Sequence, residues 1–224
     1  MIKALIFDID GTLIDTVDLH ARAWQEAFEH FGHRFALEKI RSQIGKGGDQ
    51  LLPVFLSKKE LESCGEEIEK YRSELFKRSY LPQARAFPQV RELFQHVRSC
   101  GQKIVLASSC KSDELESYKS IAHIADLIDG ATTSDDADKS KPHPDIFQAA
   151  MERLPGVTSI EAIVVGDTPY DAVAASRAGL RTIGVLCGGF PDEHLRAAGC
   201  IATYRDPSDL LRHYDGSPAA PRTK

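Results

Sequence analysis

Two aspartates, Asp8 and Asp10, follow the apolar run Ala4–Phe7 and lead into Gly11 and Thr12. Residues two apart on an extended segment point the same way, so both carboxylates can face one ligand. Three later groups stand at comparable places. Ser108 follows the apolar run 104–107, Lys141 sits in Lys-Pro-His-Pro-Asp before a helical stretch, and Asp167 follows 162–165 in Gly-Asp-Thr. In a parallel α/β sheet the carboxyl ends of the strands share one crevice, and ligands bind there. Two unit charges about 4 Å apart repel by roughly 4 kcal/mol at an effective dielectric near 20, so clustered aspartates call for a cation. An all-oxygen donor set beside a phosphate suits Mg²⁺. No Cys/His grouping has zinc-ligand spacing.

The same residue types support phosphoryl transfer. An aspartate can attack phosphorus and form an acyl-phosphate, splitting one displacement into two easier ones. A second carboxylate can protonate the leaving oxygen and later activate water. Ser108, the Lys141 ammonium and backbone N–H groups around Gly11 are candidates to hold phosphoryl oxygens, with Thr12 and Ser109 beside them. Local sequence aims these groups. Pro142 keeps Lys141 extended, and Pro144 suits the first position of the helix that follows. Thr168 reads as an N-cap answered by Asp171 in capping-box fashion.

These motifs resemble the haloacid dehalogenase-like hydrolase superfamily, in its phosphatase branch, over nearly the whole chain. Asp8, Asp10, Gly11 and Thr12 match its D-x-D-G-T. Ser108 matches its strand-end Ser/Thr, Lys141 its K-P-x-P-D lysine, and Asp167 with Asp171 its G-D-T-x-x-D. The resemblance implies that Asp8 is the nucleophile and Asp10 the acid/base. It also implies Mg²⁺ held by Asp8, the Asp10 backbone carbonyl and Asp167, with Asp171 as an accessory acid.

The positioning elements are an α/β alternation with one interruption. A strand at the start is followed, over 15–85, by helix-like patterns; alternation resumes near Phe87 and runs to 215. The spacing predicts a Rossmann-like, doubly wound parallel sheet built from 1–14 and 86–215, with a small helical insertion over 15–85. In the insertion Leu19, Ala23, Ala27 and Phe31 give one apolar face, and a second, charged helix is expected over 58–79, broken at Gly65. Residues 216–224, with Pro218 and Pro221, read as a disordered tail. In the resembled superfamily such an insertion is a cap that closes over the site, excluding water and selecting substrate.

Asp15 to Trp24 resembles the matching segment of β-phosphoglucomutases, which implies pocket roles for His20 and Trp24; Lys46 and Gly47 of the glycine-rich loop would join them. A mutase also needs cations for a second phosphate. This chain has Gly48 and Asp49 near the position of that family's cap arginine, and Cys110-Lys111-Ser112 retains only the lysine of its Ser-Lys-Asn run. A phosphatase is therefore expected over a mutase. The dehalogenase branch lacks the second aspartate, and a receiver-type signalling domain lacks the helical insertion.

Composition bounds the rest. At 224 residues, with 42% hydrophobic and 27% charged residues, the chain has ordinary globular content. A net charge of −5 without a basic patch argues against nucleic acid. There is no membrane-length apolar run and no signal-peptide pattern. Five scattered cysteines do not read as a disulfide framework, which points to a cytoplasmic setting. The expected partner is a small phosphorylated metabolite, and the expected state is a monomer or homodimer.

Overall fold

The computed structural model describes residues 1–221. Its centre is β1 (Ala4–Phe7), whose four residues are all buried, as expected for a strand covered on both faces. A two-residue strand β2 (Ile14–Asp15) follows, and then four helices: α1 (Val17–His30), α2 (Leu37–Arg41), α3 (Gly48–Phe55) and α4 (Lys58–Leu75). A π-helical turn, Phe76–Tyr80, and a 3-10 turn, Leu81–Gln83, end the helical segment, and β3 (Arg85–Ala86) returns to pair antiparallel with β2. Both connections of the insertion are thus joined in one short ribbon, with the Phe87 N–H donating to the Leu13 carbonyl at 2.9 Å.

The remaining chain alternates: α5 (Val90–Ser99), β4 (Lys103–Ala107), α6 (Ser112–Ala122), β5 (Gly130–Thr132), α7 (Asp145–Glu152), β6 (Ala162–Gly166), α8 (Pro169–Arg177), β7 (Arg181–Val185), α9 (Asp192–Ala197), β8 (Cys200–Tyr204) and α10 (Pro207–Arg212). The six-stranded sheet runs β5-β4-β1-β6-β7-β8 with every pairing parallel. Leu5 and Phe7 pack on one face with Phe94, Val97 and Leu115, while Ala4 and Ile6 pack on the other with Ile146, Phe147 and Ala174. The fold is the doubly wound, Rossmann-like α/β class.

The register decides the site. Phe7 lies beside Val165 of β6 and Leu106 of β4, so the residues after all three strands emerge together. The Asp8 N–H donates to the Val165 carbonyl at 2.9 Å, which fixes Asp8 at the edge of the crevice. The helical insertion folds around an apolar cluster of its own, including Trp24, Phe28, Ile40 and Leu51.

Three sequence expectations differ in detail. α4 runs unbroken through Gly65, because one glycine in a long helix costs only about 1 kcal/mol against alanine. Pro144 is the N-cap of α7 rather than its first helical residue. The tail is packed further than expected: Ser217 and Ala219 are buried, and Gln102 donates through Nε2 to the Ala219 carbonyl at 2.8 Å. The Tyr214 hydroxyl completes this anchor, donating to Gln102 Oε1 at 2.6 Å. Residues 222–224 of that expected tail lie outside the described residues.

Candidate active site

The site is built on a buried ionic cluster at the strand ends. Lys141, 1% exposed, donates through Nζ to Asp8 Oδ1 and forms an ion pair with Asp171 Oδ1 at 2.7 Å. The Thr12 hydroxyl lies between two carboxylates, 3.1 Å from Asp8 Oδ2 and 3.0 Å from Asp167 Oδ1. Asp8, Asp167 and Asp171 each present an oxygen within 4.8 Å of the others. Asp171 is otherwise engaged: its Oδ2 accepts from the Thr168 N–H at 3.0 Å and the Thr168 hydroxyl at 2.6 Å, closing the expected capping box on α8.

Electrostatics follow from burial. Desolvation pushes the Asp8 carboxyl up to about 7 against the pull of Lys141, with Asp171 adding to the rise. Desolvation also raises Asp167 well above the usual carboxylate range, helped by Asp8 and Asp171. Burial alone would lower the Lys141 ammonium, but Asp171 and Asp8 outweigh it and hold the pKa above its ordinary value.

Asp10 faces a different set. Its Oδ1 accepts from the Thr16 hydroxyl at 2.6 Å and lies 3.0 Å from His20 Nε2, which is also 3.3 Å from the Tyr118 hydroxyl. Burial would raise the Asp10 carboxyl; His20 and the hydrogen bonds outweigh this and hold it below the ordinary range. The His20 ring is stacked on Phe76 with centroids 3.9 Å apart.

Above this cluster lies a cavity of about 640 Å³. Asp8, Asp10, His20, Trp24, Lys46, Gly47 and Ser109 all line it. Ser108, Lys141, Asp167 and Asp171 are buried and are not part of that lining. The Ser108 Oγ accepts from the Cys110 N–H at 3.1 Å. Lys46 donates to Gln43 and sits 4.6 Å over the Tyr170 ring, so it also ties the glycine-rich loop to the sheet domain. In the same interface the Tyr170 hydroxyl donates to the Ser42 carbonyl at 2.7 Å, and the Ser140 N–H donates to Asp49 at 3.2 Å.

One sequence expectation fails on geometry. The Gly11 and Thr12 N–H groups donate inside their own turn, to the Ile14 and Ile9 carbonyls at 2.8 and 3.2 Å, and are not free for a phosphate. Gly11 serves sterically instead. Its φ is +81°, and a Cβ there would stand 2.4 Å from Asp167 Oδ2. Arg72 and Glu114 line the cavity yet carry no motif, and Tyr118 reaches it only through His20. Glu114, in the first turn after the motif serine, offered a faint signal; Arg72 is lost in a charged helix.

The fold and this strand-end cluster define an α/β enzyme with an inserted helical segment over its site. The profile of the family described as haloacid dehalogenase-like hydrolase matches residues 5–185, and the chain belongs to that family. It is an enzyme, a hydrolase. The crystal structure of a hydrolase from Pseudomonas syringae is 30% identical with a TM-score of 0.86, covering 96% of this chain and 98% of that one. The phosphorylated carbohydrates phosphatase of Thermotoga maritima is 28% identical over 210 residues, covering 93% of this chain and 96% of its own. Pyrophosphatase PpaX of Bacillus velezensis is 29% identical over 185 residues, covering 82% and 83%.

Proposed function

We propose that the chain is a Mg²⁺-dependent phosphatase of small phosphorylated metabolites, working through an aspartyl-phosphate on Asp8. The observation that carries the reading is that Asp8, in the lining of a cavity large enough for such an ester, is paired with Lys141 and linked through Thr12 to Asp167. The named phosphatase and pyrophosphatase relatives support it.

A divalent cation fits the residues present. Asp167 Oδ2 is buried with no hydrogen-bond partner among the described residues, and the donors are all oxygens, as Mg²⁺ prefers. Asp8, Asp167 and the Asp10 backbone carbonyl would hold the ion, while Asp171 acts as helix cap and counter-ion to Lys141. Bound there, the ion supplies positive charge that favours the ionised Asp8 and offsets charge on the phosphoryl group.

The chain's own groups then divide the work. Asp8, drawn towards its ionised form by Lys141 against the effect of burial, attacks phosphorus. Asp10 in this arrangement is a carboxylate held by Thr16 and His20, set to take the proton of the water that hydrolyses the aspartyl-phosphate. To protonate the leaving alkoxide in the first step Asp10 must enter the cycle protonated and turned from those partners to the substrate, and it regains that proton from the water of the second step. Ser108 and Lys141 steady the phosphoryl oxygens. The helical segment 15–85 acts as a cap that shields the reaction from bulk water, fastened through Lys46, Ser42 and Asp49 to the sheet domain. Five free cysteines fit a reducing compartment.

The test is phosphate release from a panel of phosphorylated metabolites, with and without Mg²⁺, for the wild type and Asp8→Asn. Release that needs Mg²⁺ and disappears in the variant is expected; a variant keeping a tenth of the wild-type rate defeats the assignment of Asp8. A bisphosphorylated sugar activator in the panel tests for a mutase, since migration of phosphate rather than its release would favour that activity.

A further inference from the structure

The wall of the cavity contributed by α4 holds a donor that the protein itself does not satisfy. Arg72 Nε is buried and has no hydrogen-bond partner among the described residues, while its guanidinium carbon sits 4.8 Å over the Trp24 ring. A buried N–H without an acceptor is costly and rare in native structures, so an oxygen brought in by the substrate is its natural partner. Glu114, from the first turn of α6, lines the same cavity and is 3% exposed. Burial pushes its carboxyl up, and Arg72 is the foremost group drawing it down. Its nearest ion-pair nitrogen, Lys77 Nζ, is 4.0 Å away. The cavity wall therefore presents a donor fork and an acceptor carboxylate as neighbours.

That pairing selects for a group that both gives and takes hydrogen bonds. A hydroxyl does so; a carboxylate or a second phosphate only accepts. The rest of the lining agrees. Carboxylates outnumber cations in it, with Glu66, Glu69 and Glu74 supplied by α4 against Lys70 and Arg72. A further dianion placed there meets like charge. The Trp24 face beside Arg72 gives the C–H side of a ring an apolar surface.

We propose that Arg72 and Glu114 are specificity-determining residues that bind the hydroxyls of the leaving group. The substrate is then a phosphate monoester of a sugar-sized polyol rather than pyrophosphate, a short phospho-acid or a bisphosphate. This rests on the phosphatase reading above and narrows it. Hydroxyl oxygens accept from the Arg72 fork and hydroxyl protons are donated to Glu114. The phosphoryl group meanwhile lies over Asp8.

The experiment compares kcat/KM for the wild type, Arg72→Met and Glu114→Gln on hexose monophosphates, phosphoglycolate, pyrophosphate and 4-nitrophenyl phosphate. The last has no hydroxyl to be recognised. The wild type is expected to favour a hexose monophosphate over phosphoglycolate and pyrophosphate by about tenfold or more. Arg72→Met keeps the aliphatic stem over Trp24 and should lower kcat/KM on the sugar phosphate by roughly 10–100-fold, chiefly through KM. Its activity on 4-nitrophenyl phosphate should stay within about twofold. If Arg72→Met does not fold, Glu114→Gln must show the same split. Equal losses on all esters, or a wild-type preference for pyrophosphate, phosphoglycolate or a bisphosphate, overturn the proposal. A wild type that hydrolyses none of the esters sinks the phosphatase reading beneath it; one that hydrolyses 4-nitrophenyl phosphate without the split sinks only this inference.

Discussion

Replacing Lys141 by methionine should expose how the site is held together. The ammonium is buried and pairs with Asp8 and Asp171, themselves buried. Methionine has similar bulk and no charge, so the loss is electrostatic. Removing one partner of a buried ion pair leaves an uncompensated charge and typically costs about 3–5 kcal/mol. For a chain of this size each kcal/mol moves Tm by roughly 2–4 °C, which gives a fall of roughly 6–20 °C. The cost must also depend on pH. The folded Asp8 carboxyl is already raised from 3.8 to about 7, so the folded state binds a proton that the unfolded chain has released. Stability therefore falls as pH rises between about 4 and 7, and it falls further in the variant because Lys141 no longer opposes the rise. The assay is thermal unfolding in chelator at about pH 5 and pH 8. A large Tm loss at the higher pH and a smaller one at the lower is expected, with Asp171→Asn recovering part of it at high pH. A loss below about 1 kcal/mol, or one equal at both pH values, would refute the ion-pair account of Lys141.

Two further outcomes follow from the same cluster. Mg²⁺ at about 100 times its Kd should stabilise the wild type by about 2.7 kcal/mol, and by less near pH 5, where a protonated Asp8 competes with the ion; calorimetry at the two pH values checks both points. Gly11→Ala forces a residue with a Cβ to a φ of +81° and drives that Cβ against Asp167. It should cost on the order of 1–3 kcal/mol in strain alone and abolish the Mg²⁺ stabilisation, as read by the same melts.

What was legible in the sequence was the chemistry carried by neighbours along the chain. Asp8 and Asp10 follow directly on β1 and both line the cavity, Thr168 and Asp171 close one helix cap, and the apolar runs before Asp8, Ser108 and Asp167 each announce a buried strand. What stayed hidden depends on contacts across the chain. That Thr12 links Asp8 to Asp167 follows from the pairing of β1 with β6, which no local pattern encodes. The phosphate-binding role read for the Gly11 N–H failed because the turn closes on Ile14, a backbone detail below the reach of residue types. Arg72 was invisible because only packing against Trp24 separates it from the other charged side chains of α4. The tail misled through composition: its prolines and small polar residues hid alanines small enough to dock beside Gln102.

The most direct measurement is a rapid acid quench of enzyme mixed with Mg²⁺ and a phosphate ester, followed by mass spectrometry of its peptides. A phosphoryl group on the peptide containing Asp8, formed and lost at the rate of turnover, is the expected result. Turnover with no phosphorylated peptide, or with the phosphoryl group on any residue other than Asp8, would contradict the account.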